Sequence, residues 1–158
     1  MTETSTEVRR QVRIEARPET VYSFFTDPAK MVLWKGVEAD LDGRPDGVYR
    51  VWINKRNLAA GRFVELVPYS RIVFTWGWDM PGHAVPPGSS TVEVTLAPDR
   101  SGTLLTLVHR DLPNEEEVAG HAAGWDHFLP RLAIAAAGGD PGQDPWAASQ
   151  ENEEADDG

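Results

Sequence analysis

The run Val92-Glu93-Val94-Thr95-Leu96, the turn Pro98-Asp99-Arg100-Ser101-Gly102, the run Thr103 to His109 and then a segment carrying Gly124-Trp125 decide how this chain folds. They read as the last hairpin of a curved sheet handing over to one long helix, an arrangement that encloses a cavity. Side chains on a strand alternate faces, and the turn determines which positions lie opposite. With Ala97 and Gly102 flanking the turn, Leu96 faces Thr103, Val94 faces Leu105, Val92 faces Leu107 and Ser90 faces His109. One face is then apolar and ends in a histidine. The other, with Glu93, Thr95, Thr106 and Arg110, reads as solvated, diluted by Leu104 and Val108.

Downstream, Asn114 is placed to cap a helix, Glu117 occupies the capping-box position, and Glu115 to Glu117 match the dipole of a first turn. Val118, Ala122, Trp125, Leu129, Leu132 and Ala136 recur at helical spacing and form one apolar stripe. Upstream, Glu7 to Ala16 alternates as a half-exposed strand. Pro18 opens a short helix through Phe25, and Asp27-Pro28 opens a second that ends near Trp34. Strands follow over Val37 to Leu41, Gly47 to Ile53, Leu58 to Val67, Ser70 to Trp78, Ser89 to Ala97 and Thr103 to Arg110, with turn residues at each joint. The sum is an α+β architecture with the last helix laid across an antiparallel sheet.

Composition narrows the function classes. The 158 residues fit one domain over 1–139, followed by an acidic tail over 140–158. The absence of cysteine excludes disulfides, thiolate metal sites and cysteine nucleophiles. With no leader-like N-terminus and no apolar run of membrane-spanning length, a cytoplasmic location is expected. Asp140, Asp144, Glu151, Glu153, Glu154, Asp156 and Asp157 supply seven charges of the net −10, leaving −3 for the rest. The tail from about Gly138 is expected to be disordered, and such a balance suits neither nucleic acid nor an anionic membrane. Trp146 within it reads either as a linker aromatic or as a hook that docks on the domain or a partner.

The blocks RIEARPETVYSFFTDPAKMVLW (13–34), GVYRVWI (47–53), GRFVELVPYSRIVFTWGW (61–78), STVEVTLAPDRSGTLLTLVHRDL (90–112) and HAAGWDHFLPRLA (121–133) resemble, in order and spacing, the family called activator of heat-shock protein 90 ATPase homologue. That family lies within the START-like (SRPBCC, Bet v 1-like) superfamily. The resemblance implies a helix-grip fold: a seven-stranded antiparallel sheet wrapped around a C-terminal helix, two short helices after the first strand, and a hydrophobic cavity. The superfamily uses that cavity for lipids, polyketides, aromatic compounds and plant hormones, and bacterial members are mostly without an assigned activity. Eukaryotic activators carry a further N-terminal domain for which this chain has no room, so chaperone activation is not expected to follow from the family name. Pro130 departs from the pattern and predicts a kinked or weakened helix. Gly120 and Gly124 share a helical face that would admit the sheet or a ligand.

Across the Pro68 to Arg71 turn, Val67 faces Ile72, Glu65 faces Phe74 and Phe63 faces Trp76, which places a carboxylate among large apolar groups. A Glu so buried titrates high and is a site candidate, with His109 and Tyr49 as partners on the same concave side. Trp34, Trp52, Trp76, Trp78 and Trp125 suit either core packing or a pocket wall, and the loop from Asp79 to Gly88 either shades a cavity mouth or is an exposed connection. No hydrolase elbow, zinc-protease, P-loop or dinucleotide motif is present, and His109 with Asp111 lacks a third metal ligand, so neither metal nor cofactor is expected.

Three functions follow. The first is a carrier or sensor of a small hydrophobic or aromatic ligand held by Trp34, Tyr49, Phe63, Phe74, Trp76, Leu107, His121 and Trp125, oriented by Glu65 or His109. The second is a cyclase-like or dehydratase-like enzyme on a polyketide-like or aromatic substrate, with His109, His121 and Glu65 as catalytic candidates. The third is a protein-interaction module that meets a partner through the acidic tail or a strand edge. Monomer and dimer are both compatible with the sequence, Leu104 and Val108 offering a dimer surface.

Overall fold

A computed structural model describes residues 6–147. Its elements run β1 (Val8–Ile14), α1 (Pro18–Thr26), α2 (Pro28–Met31), β2 (Glu38–Leu41), β3 (Val48–Trp52), β4 (Leu58–Val67), β5 (Arg71–Trp76), β6 (Ser90–Asp99), β7 (Gly102–Arg110) and α3 (Glu115–Ala136). The seven strands form one antiparallel sheet in the order β1-β7-β6-β5-β4-β3-β2, with β1 crossing to pair with the last strand. The alternation and capping signals led to the α+β architecture with the last helix across the sheet, and the family resemblance implied this helix-grip arrangement.

Local chemistry accounts for the element boundaries. Pro18 begins α1, which buries Val21, Phe24 and Phe25. The Asp27 side chain accepts from Ala29 N at 3.0 Å and starts α2. The Asn114 side chain accepts from Glu117 N at 2.8 Å and starts α3, behind a first turn of three glutamates. Pro130 is exposed on α3, and the helix continues unbroken through Ala136. The carbonyl that its ring deprives of a donor therefore belongs to the solvated side.

Strand register differs from the sequence reading in two places. In the β6–β7 hairpin, Asp99 pairs with Gly102, and Leu96 faces Leu105, Val94 faces Leu107 and Val92 faces His109. The turn is thus two residues long, with Arg100 in the left-handed region at φ 59°, and the pairing is displaced by two. An even displacement preserves the faces, so the apolar side remains apolar. In β4–β5 the outcome is different. Val67 pairs with Arg71, Leu66 with Ile72, Glu65 with Val73 and Phe63 with Phe74, with an irregularity between Phe63 and Glu65. The extra residue rotates the strand beyond Phe63 and turns Glu65 outward.

One continuous core joins the sheet to α3. Arg10 on β1 pairs with Asp126 on α3, its Nε 2.6 Å from the carboxylate. Residues 138–147, expected to be disordered, instead fold back along α3. Arg131 donates to the carbonyls of Pro141 at 3.2 Å and Gly142 at 3.0 Å, and His127 Nε2 lies 2.8 Å from Asp144. Residues 148–158 lie outside the described residues, and with them the expected contact of the acidic tail with a partner. No helix among the described residues is long and apolar enough to cross a membrane.

Candidate functional site

Towards the Trp76 end of β5 the sheet and α3 stand apart, and a pocket of about 460 Å³ opens between them. That volume lies in the range typical of small-molecule sites. Its aromatic walls are Trp76 and Trp78 from the sheet, Trp125 and Phe128 from α3, and Trp146 from the returning tail. Trp146 is positioned by stacking on His127, ring centroids 4.0 Å apart and 4° from parallel, so it is a docked side chain. The rim includes Ile53, Asn54 and Asn57 from the β3–β4 loop and His83 from the β5–β6 loop. Asn54 makes its loop compact by accepting from the amides of Arg56 and Asn57.

Two helical glycines give the pocket its room. Gly120 and Gly124 both line it, and a Cβ built on either meets no atom within 4 Å. Trp125 and His121 on the same helix face inward beside them.

His121 lines the pocket and His109 lies behind the wall, their ring centroids 5.0 Å apart. His109 is fully buried. Trp125 Nε1–H donates to its Nδ1 at 3.1 Å, which leaves Nε2 as the protonated nitrogen, 2.8 Å from Ser90 Oγ. Ser90 donates in turn to the Trp76 carbonyl at 2.8 Å. The chain of donors ends on backbone, and His109 has no free nitrogen. His121 is similarly engaged: Trp78 Nε1–H donates to its Nε2 at 3.1 Å, and its Nδ1–H meets the Glu117 carbonyl at 2.8 Å. Both patterns require neutral imidazole. Burial pushes His109 down to about 2, aided by the neighbouring His121 and Lys35, and burial likewise lowers His121.

Lys35 is the residue that sequence reasoning does not find. Its side chain is buried to 1% exposure and its Nζ makes no hydrogen bond among the described residues. The nitrogen lies 4.0 Å from the ring centroid of Trp76 and 4.2 Å from that of Trp125, with Phe128 at 5.6 Å and Trp34 at 5.8 Å. Burial holds its pKa well below the usual lysine value, while the aromatic faces favour the ammonium form. The backbone that carries it is pinned on both sides. Trp34 donates from Nε1 to the Phe24 carbonyl, Arg131 donates to the Trp34 carbonyl, and Val37 N bonds to the Trp52 carbonyl. Gly36 between them has φ 84°, and a Cβ there would lie 2.6 Å from the Trp52 carbonyl oxygen. In the sequence, Lys35 reads only as a cation at a helix end before a glycine.

Of the residues expected to hold a ligand, Trp76, His121 and Trp125 line the pocket. Tyr49, Phe63 and Phe74 do not, because they fill the other end of the concave face with their own rings. Tyr49 stacks on Phe74 at 4.2 Å and meets Phe63 edge-on at 5.7 Å. Trp34 and Leu107 are fully buried core, and His109 lies behind Trp125. Glu65 is exposed and pairs with Arg71 at 3.3 Å, away from both histidines, so neither anchoring nor acid–base chemistry in the pocket falls to it. No cluster of metal-binding side chains occurs among the described residues.

The model of a family described as Activator of Hsp90 ATPase homolog 1-like protein matches residues 15–137. A curated protein of Schizosaccharomyces pombe, described as uncharacterized, is 27% identical over 128 residues, which is 78% of this chain and 35% of the relative. The chain thus spans about a third of the length of that relative. Among solved structures, an AHSA1-like protein from Rhizobium etli is 43% identical, with a TM-score of 0.70 over 91% of this chain and 92% of that one. DynU16, a protein in the dynemicin biosynthetic locus, is 26% identical, with a TM-score of 0.76 over 87% of this chain and 49% of that one.

Proposed function

This chain belongs to the Activator of Hsp90 ATPase homolog 1-like family, and we propose that it binds a small aromatic molecule in the pocket between α3 and the sheet, as a carrier or sensor. The observation that carries the reading is the pocket itself: about 460 Å³ walled by Trp76, Trp78, Trp125, Phe128 and Trp146, with Gly120 and Gly124 keeping its α3 side clear. Large flat side chains around a space of this size suit a flat apolar ligand, which gains from area burial and from offset or edge contacts. The presence of DynU16 in a biosynthetic locus is in keeping with small-molecule work on this fold.

Binding is favoured over acid–base catalysis because His109 and His121 each spend both ring nitrogens inside the protein. A general acid or base needs a nitrogen within reach of the substrate's proton. Lys35 is the pocket's one buried, unbonded cationic side chain among the described residues.

Titration of tryptophan fluorescence with 2-naphthamide, an uncharged flat probe, tests the reading. Saturable binding is expected in the native protein and is expected to be lost in Gly124→Leu, whose side chain occupies the pocket. Binding that persists unchanged in Gly124→Leu would place the ligand elsewhere and remove the proposal.

A further inference from the structure

Resting on that reading, we infer that the pocket selects an aromatic carboxylic acid, whose carboxylate is received by Lys35 Nζ and Trp76 Nε1–H. Both groups belong to residues lining the pocket, both are buried, and neither makes a hydrogen bond among the described residues. Both are donors. Two unsatisfied donors on neighbouring residues of the pocket wall, with Nζ 4.0 Å from the Trp76 ring centroid, lack the same thing, an acceptor. A buried polar group without a partner costs free energy, so a ligand that supplies the acceptor recovers that cost on binding.

The character of the acceptor follows from the surroundings. Nζ lies 4.0 Å from the Trp76 ring centroid, burial is what perturbs its titration, and no carboxylate among the described residues bonds to it. Glu117, the acidic residue of the pocket wall, has its carboxylate 3.7 Å from His121 Nδ1. A carboxylate brought in by the ligand would therefore be the counter-charge of Lys35, and a charge-assisted hydrogen bond is stronger than a neutral one. A single negative charge suits the site better than a polyphosphate, because the chain as a whole carries −10. The flat remainder of the ligand lies against Trp78, Trp125 and Phe128.

The test compares 2-naphthoate with 2-naphthamide, which share shape and differ in charge, by calorimetric titration of the full chain. The native protein is expected to prefer the carboxylate by about tenfold or more. Lys35→Met is expected to reduce that preference to within about threefold, read as the ratio of the two affinities within the same variant. Trp76→Phe, which keeps a ring and removes the N–H, is expected to lower carboxylate affinity more than amide affinity. Lys35→Gln gives a second uncharged variant, and circular dichroism checks each fold. Equal affinity for the two probes in the native protein, or a preference that survives in both Lys35 variants, overturns the inference while leaving the aromatic pocket standing. Binding of neither probe removes the proposed function and the inference with it.

Discussion

Trp125 on the terminal helix donates its indole N–H to Nδ1 of His109 on the last strand, at 3.1 Å. This bond ties α3 to the sheet and selects the neutral Nε2–H tautomer, which then meets Ser90. His109 is therefore a brace between the two layers.

Acid should weaken that brace. Its pKa is lowered from 6.5 to about 2, so between those values the unfolded chain binds a proton that the folded chain refuses. The stabilisation is fully present above pH 6.5 and is lost as pH falls towards 2, by up to about 1.4 kcal/mol per pH unit. Urea midpoints between about pH 6.5 and 5, above the carboxylate range, should fall, and His109→Gln should flatten the slope. Equal slopes in the two proteins would show that His109 does not titrate this way.

Lys35 should cost stability in the unliganded protein. Its depressed pKa makes the folded state poorest where the unfolded amine is charged, so the loss grows as pH falls below the unfolded value of 10.5. Replacing it with the apolar Met should raise stability at pH 7 by about 1–3 kcal/mol, less at about pH 10. A lower urea midpoint in Lys35→Met at pH 7 would mean that the Trp76 and Trp125 faces stabilise the ammonium by more than burial penalises it.

Gly120→Ala and Gly124→Ala should each stabilise the protein by about 0.5–1 kcal/mol, since the added methyl meets nothing and helix propensity improves. Thermal denaturation measures this. A fall in Tm for either would contradict the open space at these positions. Circular dichroism of Gly124→Leu separates a blocked pocket from an unfolded protein when that variant loses binding.

Trp146 should contribute to affinity from the far side of the pocket. Trp146→Ala, or a stop after Gly139, is expected to weaken 2-naphthamide binding by about threefold to tenfold through loss of one aromatic contact. Unaltered dissociation constants in both variants would show that the returning tail is no part of the site.

Glu65→Gln should be silent. The carboxylate faces solvent beside Arg71, and exposed pairs of this kind contribute little, so stability should move by no more than about 0.5 kcal/mol and ligand affinity not at all. A tenfold change in binding would return Glu65 to the pocket.

The elements, their order and most of their inward faces are determined by the sequence alone, because they rest on neighbours: Asn114 three residues before the amide it caps, Val92 and Val94 alternating with Glu93 and Thr95. The hairpin prediction survived a two-residue displacement for the same reason, since an even shift keeps every side chain on its face. Glu65 did not survive, because the irregularity after Phe63 leaves no mark in the local pattern. The place and chemistry of the pocket were decided by tertiary structure. Tyr49, Phe63 and Phe74 close one end of the concave face only when three strands bring them together. Lys35 becomes a buried donor, unpartnered among the described residues, only when Trp76 from the sheet and Trp125 from the helix enclose it, and burial by distant segments is a property that no local spacing encodes.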